Sequence, residues 1–288
     1  MNNDTQTTTL EPAPSTSSEQ ATEVNPFAEQ AAQEAAKPKK PGILSQVTTR
    51  KRRRPVFAVV YGPPGIGKST FGTNAPNPIF LQVERGLDQI TVPKLPIPKD
   101  FSQLYAQVDA LDREEHGYQS IVLDTLDATE ILIWQRARTE GKVTSIEDYG
   151  GGYGKGYVRA REIWTGLLSK LNEMSERFNV ILLAHSHLKT VNDPMQSAAY
   201  DMHRIKIHDK SAEIIRQMVD LICFANLDVS IIKESQKARK GRGIISEDRL
   251  MWTAPTTGIE AKNRYDLDNP MPFSWAALEK GVNDFYDR

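Results

Sequence analysis

Short apolar runs alternate with amphipathic stretches from residue 56 onward, a pattern typical of a parallel sheet flanked by helices. The predicted strands are residues 56–61, 79–83, 120–123, 180–184 and 221–225. Apolar residues recur at helical spacing in 101–111 and 164–178. Residues 229–232, 243–246 and 249–253 predict a C-terminal antiparallel extension, and 275–285 predict a final helix. The pattern therefore indicates an α/β fold.

The N-terminal stretch differs in composition from the rest of the chain. Residues 1–40 are polar and acidic with almost no large apolar side chains, so they cannot offset the entropy of ordering. We predict a disordered tail there and a basic linker at 41–54, which contains the run Arg50–Arg54. That run is either a solvated lead-in to the first strand or a nucleic-acid contact. One domain is predicted over residues 55–288.

Composition excludes several classes of protein. The 288 residues are 39% hydrophobic, enough for a substantial core, but contain no apolar stretch of membrane-spanning length. We expect no membrane partner and a cytoplasmic location. A single cysteine, Cys223, excludes an internal disulfide and a cysteine-based zinc cluster. The net charge of −1 neither supports nor excludes nucleic-acid binding.

The most specific motif is the segment GPPGIGKS at 62–69, directly after the first predicted strand. It matches the phosphate loop G-x-x-x-x-G-K-[ST], whose backbone N–H groups surround the phosphates of a nucleotide. Lys68 is expected to reach the β- and γ-phosphates, and Ser69 to hold Mg²⁺. We therefore predict ATP and Mg²⁺ as cofactors. The predicted nucleotide-binding residues are Gly62, Pro63, Pro64, Gly65, Ile66, Gly67, Lys68, Ser69 and Thr70.

A second acid is needed near Mg²⁺, and Asp124 follows the apolar run 120–123 at the carboxyl edge of the sheet. Asp124 is therefore the second predicted metal ligand, with a helix N-cap as the alternative. AAA+ machines and many helicases carry a catalytic glutamate after this aspartate, whereas Thr125 follows it here. A hydrolytic glutamate must then lie elsewhere in the chain.

Glu84 ends the second predicted strand and is followed by Arg-Gly-Leu-Asp. This segment resembles the RecA stretch in which a strand ends in Glu, with a small residue, Leu and Asp soon after. The resemblance implies that Glu84 positions the attacking water. In RecA relatives the fourth strand ends in a polar residue that senses the γ-phosphate, which implies His185 here. Ser186 and His187 are alternatives for that sensor.

Three further segments are candidates for nucleic-acid contact. The glycine-rich segment 148–157 contains aromatic and basic side chains, which bind single strands by stacking and charge. It lies where RecA-like recombinases carry their first DNA loop, although an active-site lid or a second nucleotide loop is the alternative. The polar stretch 188–210 is expected to be a second DNA loop or a solvated face, and the basic run 233–242 a third surface or a solvated hairpin tip. The predicted DNA-binding residues are Tyr149, Tyr153, Lys155, Tyr157, Arg204 and Lys206.

Lys262-Asn263-Arg264 is similar to a Lys-Asn-Arg-Phe-Gly motif of RadA-type proteins, although Tyr265-Asp266 replaces Phe-Gly. It is also similar to cations that DnaB-type helicases extend into a neighbouring subunit's ATP site. The resemblance implies that Lys262 and Arg264 act in trans in a homo-oligomer, a ring or a filament. An ordinary basic turn is the alternative.

Taken in order over residues 55–270, these motifs resemble the compact RecA-like P-loop ATPases that bacteriophages encode as recombinases and single-strand annealing proteins. The resemblance implies a RecA-like core and a DNA-stimulated ATPase that binds single-stranded DNA and promotes annealing or strand exchange in the host cytoplasm. A single-stranded DNA-binding protein is a further expected partner. The alternatives are a hexameric helicase-like or branch-migration motor, a nucleotide kinase or small-molecule ATPase, and a non-hydrolysing DNA-binding mediator.

Overall fold

The computed structural model describes residues 42–232 and 242–288. The predicted tail at 1–40 and nearly all of the basic run 233–242 lie outside the described residues. The chain divides after Arg50 into two units. In the first, the described residues 42–50 contain one 3₁₀ turn, Ile43–Gln46. The second holds the sheet and its helices.

The sheet contains ten strands within the described residues. They are β1 (Phe57–Gly62), β2 (Pro78–Gln82), β3 (Lys94–Leu95), β4 (Ser120–Asp124), β5 (Asn179–Val191), β6 (Tyr200–Ile205), β7 (Leu221–Ile232), β8 (Arg242–Trp252), β9 (Lys262–Asn263) and β10 (Met271–Pro272). The order is β10-β8-β7-β1-β5-β4-β2-β3, with β6 paired to β5 and β9 to β7. From β7 to β3 the neighbours are parallel, while β8, β10, β6 and β9 are antiparallel additions.

Helices cover both faces of the sheet. They are α1 (Lys68–Thr73), α2 (Phe101–Arg113), α3 (Leu126–Gly141), α4 (Lys155–Met174), α5 (Asp209–Met218) and α6 (Trp275–Asp287), with a 3₁₀ segment at Ile146–Gly151. Alternate β1 residues enter two separate apolar clusters, Phe57 in one and Ala58 in the other. The first cluster contains Trp164 of α4, and the second contains Phe71 of α1 and Trp275 of α6. The predicted α/β fold, a mostly parallel sheet flanked by helices, is confirmed. None of the described helices combines the length and the apolar character needed to cross a bilayer.

The predicted strands are present, but two extend further than expected. β5 continues beyond residue 184 to Val191 and pairs with β6, so most of the polar stretch predicted as a loop is a β-hairpin. The loop expectation was wrong there because these strands carry mostly polar side chains without the apolar alternation of a half-buried strand, and strands of this kind look like loops in sequence. β7 likewise runs into the antiparallel extension and pairs with β8.

Candidate nucleotide-binding site

Strand order brings the predicted catalytic segments together at one edge of the sheet. β5 lies between β1 and β4, and β2 follows β4. In the parallel register Gly62 is opposite His185, and Asp124 is opposite Gln82, two residues before Glu84. Because parallel strands present their carboxyl ends at the same edge, the phosphate loop, His185, Asp124 and Glu84 lie in sequence along it.

The phosphate loop links β1 to α1 through a tight turn. Gly65 (φ 79°) and Gly67 (φ 103°) have left-handed backbone conformations that favour glycine. The Lys68 side chain, 7% exposed, donates from Nζ to the carbonyl oxygens of Gly62 (3.1 Å) and Pro63 (3.0 Å). Burial lowers the pKa of Lys68, while nearby carboxylates, Asp124 foremost, oppose that shift. The Lys68 ammonium group therefore lies inside the phosphate loop, which is predicted to bind the nucleotide.

Ser69 and Asp124 form a direct contact. The Ser69 hydroxyl donates to Asp124 Oδ2 at 2.8 Å. Asp124 is 7% exposed, and burial raises its pKa despite the hydrogen bond from Ser69 and the charge of Lys68. A hydroxyl and a carboxylate side by side are hard oxygen ligands of the kind that Mg²⁺ prefers, so the pair fits the predicted metal site.

Thr125 performs the capping role that was considered for Asp124. Its backbone is extended, and its hydroxyl accepts a hydrogen bond from the Ala128 N–H at 3.3 Å at the start of α3. The same hydroxyl donates to Glu84 Oε1 at 3.1 Å. AAA+ machines carry a glutamate at the position of Thr125. Here Thr125 instead orients Glu84, which lies two residues after β2. The N-cap alternative for Asp124 is wrong.

Asp127 is a site residue that the sequence analysis missed. In the first turn of α3 its carboxylate accepts a hydrogen bond from the His185 backbone N–H at 3.0 Å and contacts His185 Nδ1 at 2.8 Å. Burial alone would raise the pKa of Asp127, but these contacts with His185 outweigh it and lower the pKa. The only sequence signal was its position three residues after Asp124.

A cavity of about 370 Å³ connects these groups. His185 lines it, whereas Ser186 and His187, the alternatives for the sensor, do not. The lining residues are Pro64, Gly65, Gly67, Lys68, Ser69, Thr70, Glu84, Arg85, Gly86, Ile90, Asp124, Thr125 and His185. A larger cavity of about 890 Å³ lies between the start of α2 and the end of α3. It contains none of the predicted residues, so its size does not make it the better candidate.

A second group of potential metal ligands lies at the same edge. Glu84, Asp127 and His185 each offer one ligand atom, and these atoms lie within 4.8 Å of one another. Asp127 and His185 already bond to each other, and Glu84 accepts from Thr125. Each of the three groups thus already has a hydrogen-bond partner, and the oxygen pair Ser69–Asp124 matches Mg²⁺ better.

The first predicted DNA segment presents one fully exposed ring. Tyr153 is 99% exposed between glycines with left-handed backbones. The other predicted residues of this segment have intrachain contacts. Tyr149 packs against Gly141, and Lys155 Nζ donates to the Gly150 carbonyl at 2.9 Å.

Tyr157 belongs to an aromatic contact at the base of the hairpin. Its ring stacks on His208, with centroids 4.2 Å apart and planes 4° from parallel. The Lys210 ammonium lies 3.7 Å from the position that a Cβ on Gly154 would occupy. The two predicted DNA segments therefore adjoin. Arg204, on β6, pairs with His187 across the hairpin, and Lys206, just after β6, is exposed.

Lys262 and Arg264 have partners in their own chain. Lys262 Nζ donates to the carbonyl oxygens of Arg216, Gln217 and Val219 at the end of α5. Arg264 pairs with the buried carboxylate of Asp220 at 2.8 Å. The trans-acting role of the two cations stays a prediction.

Comparison with known proteins gives a consistent assignment. A protein-family model, AAA_24, described as an AAA domain, matches residues 54–265. The SPbeta prophage-derived uncharacterized protein YorG of Bacillus subtilis (strain 168) is 25% identical over 237 residues, covering 80% of this chain and 66% of that protein. The chain thus spans just under two thirds of that relative's length.

Among solved structures, the flagellar accessory protein FlaH from Methanocaldococcus jannaschii is 11% identical, with 73% of this chain and 90% of that chain covered. Its TM-score of 0.28 is too low to support an argument about this protein. The family match does support an assignment, because it extends from just before β1 to Tyr265 and includes every segment around the cavity. The chain belongs to the AAA_24 family of AAA domains and is a P-loop ATPase.

Proposed function

We propose that the protein is an ATP-hydrolysing, single-stranded DNA-binding recombination protein that promotes annealing or strand exchange. One observation carries the proposal: β5 runs without a break from the nucleotide cavity at His185 to Lys189, which pairs with Asp209, and the next residue, Lys210, lies beside the exposed Tyr153 loop. The name of the prophage-derived relative supports a phage origin, and we include action in the host cytoplasm in the proposal. Homo-oligomers and a single-stranded DNA-binding protein belong to the proposal as partners.

The proposed chemistry is assigned to residues around the cavity. Lys68 and the loop 62–70 bind the phosphates, and Ser69 and Asp124 hold Mg²⁺, which neutralises phosphate charge when bound. Glu84, oriented by Thr125, positions the attacking water and takes up its proton. His185, held by Asp127, is placed to detect the γ-phosphate.

The proposed DNA surface combines stacking with positive charge. Tyr153 offers an exposed ring, and Lys210 lies beside the same loop. A ring that stacks on any base and cations that contact phosphates together bind single strands without sequence preference. Asp209 reduces the local positive charge, but it is paired with Lys189. The surface therefore presents Lys206 and Lys210 as exposed cations.

The connection between the two sites is short. The backbone N–H of Lys206, just after β6, donates to the His185 carbonyl at 2.9 Å. A shift of His185 on nucleotide binding would therefore move both strands of the hairpin. We propose that this contact couples the nucleotide state to DNA affinity, which predicts the reciprocal effect of DNA on ATP hydrolysis.

The test combines ATP hydrolysis, measured with and without single-stranded DNA, with a strand-annealing assay. Tyr153→Ala should weaken single-stranded DNA binding about 5- to 150-fold, the effect of losing one stacked base. Tyr153→Phe should retain most of the affinity, and Tyr105→Ala, which removes a partly exposed tyrosine from α2, is the matched control. Melting temperatures of wild type, Tyr153→Ala and Tyr153→Phe should agree because the Tyr153 ring is outside the core.

Absence of any DNA effect on wild-type hydrolysis, together with absence of annealing, would reject the proposal. Directional unwinding of duplex DNA would select the motor, and phosphoryl transfer to a nucleotide or a small molecule would select the kinase.

A further inference from the structure

Arg249 brings a cation to the phosphate loop from a distant part of the sequence. Its Nη1 lies 2.9 Å, and its Cζ 3.8 Å, from the position that a Cβ on Gly67 would occupy. The guanidinium therefore lies against the loop residue directly before Lys68. Within the described part of the chain, the Arg249 side chain has no hydrogen bond or ion pair, although it is an exposed arginine able to donate five hydrogen bonds.

Strand pairing explains how Arg249 reaches the loop. Tyr61 of β1 is opposite Phe224 of β7, and Leu227, three residues further along β7, is opposite Arg249 of β8. Arg249 thus lies just past the carboxyl end of β1, at the level where the phosphate loop begins.

The backbone of Arg249 is connected through Phe273 to α1, the helix that follows the phosphate loop. Its carbonyl accepts a hydrogen bond from the Phe273 N–H at 2.9 Å, and the Phe273 ring stacks on Phe71 of α1 at 5.0 Å. Arg249 is therefore held at a defined distance from α1, which is what a residue that orients a ligand requires.

We propose that Arg249 is a nucleotide-binding residue that contacts the α- and β-phosphates of a nucleotide bound in its own subunit. The backbone of a phosphate loop surrounds those two phosphates, and Gly67 belongs to that backbone. A guanidinium next to it matches the planar, paired oxygens of a phosphate. Arg249 does not line the cavity itself, so its side chain must rotate a short distance over Gly67 to make the contact.

The proposal rests on nucleotide binding by loop 62–70 and is independent of the DNA-binding proposal. It differs from a γ-phosphate sensor in one measurable respect. Since ATP and ADP share the α- and β-phosphates, loss of Arg249 should weaken the binding of both nucleotides by the same factor.

Equilibrium binding of fluorescent ATP and ADP analogues to the full chain tests this. Arg249→Ala should weaken both about tenfold or more, the loss of one hydrogen bond between charged groups. Arg249→Lys keeps the positive charge but lacks the planar guanidinium with its paired N–H donors, so it should recover part of that affinity. Arg161→Ala is the matched control, because Arg161 is an exposed arginine on α4 outside the nucleotide cavity.

Four results would overturn the proposal. Affinities of Arg249→Ala within twofold of wild type, while Lys68→Ala loses binding, would show that Arg249 is not a ligand. A loss confined to ATP would reject contact with the α- and β-phosphates. A lower melting temperature of the nucleotide-free Arg249→Ala protein, with Arg161→Ala unchanged, would assign Arg249 a structural role. If wild type and Lys68→Ala both fail to bind, the assignment of the loop fails and Arg249 with it.

Discussion

Asp127→Asn tests whether the pairing of Asp127 with His185 serves catalysis. The substitution keeps the size of the side chain and removes its charge. Asparagine can still accept the backbone N–H of His185 through its amide oxygen, the bond that measures 3.0 Å with Asp127. Facing His185 Nδ1, 2.8 Å away in wild type, it presents an NH₂ group or a neutral oxygen in place of a carboxylate. The variant therefore loses one charge-assisted contact and the orientation that it gives to the imidazole ring.

The magnitude follows from that single contact. A hydrogen bond to a charged group contributes about 1.5–3 kcal/mol, which corresponds to roughly 10- to 150-fold in rate. Asp127 does not line the nucleotide cavity, so the substitution should act through His185 and not on ATP itself. We expect kcat for ATP hydrolysis to fall at least about tenfold, with KM for ATP changed by less than about threefold.

Stability provides an independent readout, because the pKa of Asp127 is lowered from its ordinary value of 3.8. Burial would raise that pKa, but the contacts with His185 outweigh it, so ionised Asp127 stabilises the fold above pH 3.8. That contribution is lost as the pH falls through the lower, folded-state pKa. The stability difference between wild type and Asp127→Asn, measured by urea unfolding, should therefore shrink as the pH falls from about 5 and vanish below the lowered, folded-state pKa of Asp127.

The control is Asp284→Asn, which removes an exposed carboxylate from α6. A kcat of Asp127→Asn within twofold of wild type would show that the Asp127–His185 pair does not act in hydrolysis. A rise in KM equal to the fall in kcat/KM would show that the pair serves ground-state nucleotide binding instead.

Two further substitutions examine other parts of the site. Glu84→Gln should retain ATP binding and lose about 10²- to 10⁴-fold in hydrolysis, measured as steady-state phosphate release; unchanged release would place the general base elsewhere. Lys262→Met should lower the melting temperature by about 4–8 °C, equivalent to roughly 2 kcal/mol, because three carbonyls at the end of α5 lose their donor. An unchanged melting temperature would favour the trans-acting role of Lys262 over its structural one.

The central sheet could be predicted because its strands are buried on both faces. Such strands appear in sequence as continuous apolar runs, so β1, β2 and β4 were placed within one or two residues. The phosphate loop could be predicted because its chemistry requires fixed residue types at fixed spacing. Asp124 and Glu84 follow apolar runs, and strand order then brings them to the same edge.

The remaining parts of the site depend on contacts between distant segments. An aspartate in the first turn of a helix, such as Asp127, is ordinarily explained by the helix dipole, and its partner His185 lies 58 residues away. Arg249 lies in a polar stretch of β8, and only the pairing of β8 with β7 brings it to Gly67. The hairpin β5–β6 was missed for a different reason, since its strands lack the apolar alternation that marks a half-buried strand.

The structure also distinguishes between the two cations predicted to act in trans. Asp220, 2% exposed, is paired with Arg54 as well as with Arg264, and the Tyr265 hydroxyl is a third contact. If Arg264 left Asp220, Arg54 would still compensate the buried carboxylate, so the cost of release is modest.

Lys262 has no such substitute among the contacts described, because its departure would remove the shared donor of three helix-terminal carbonyls. Arg264 also has a side chain 52% exposed. If a neighbouring subunit's nucleotide receives a cation from this turn, Arg264 is therefore the one that the fold can release.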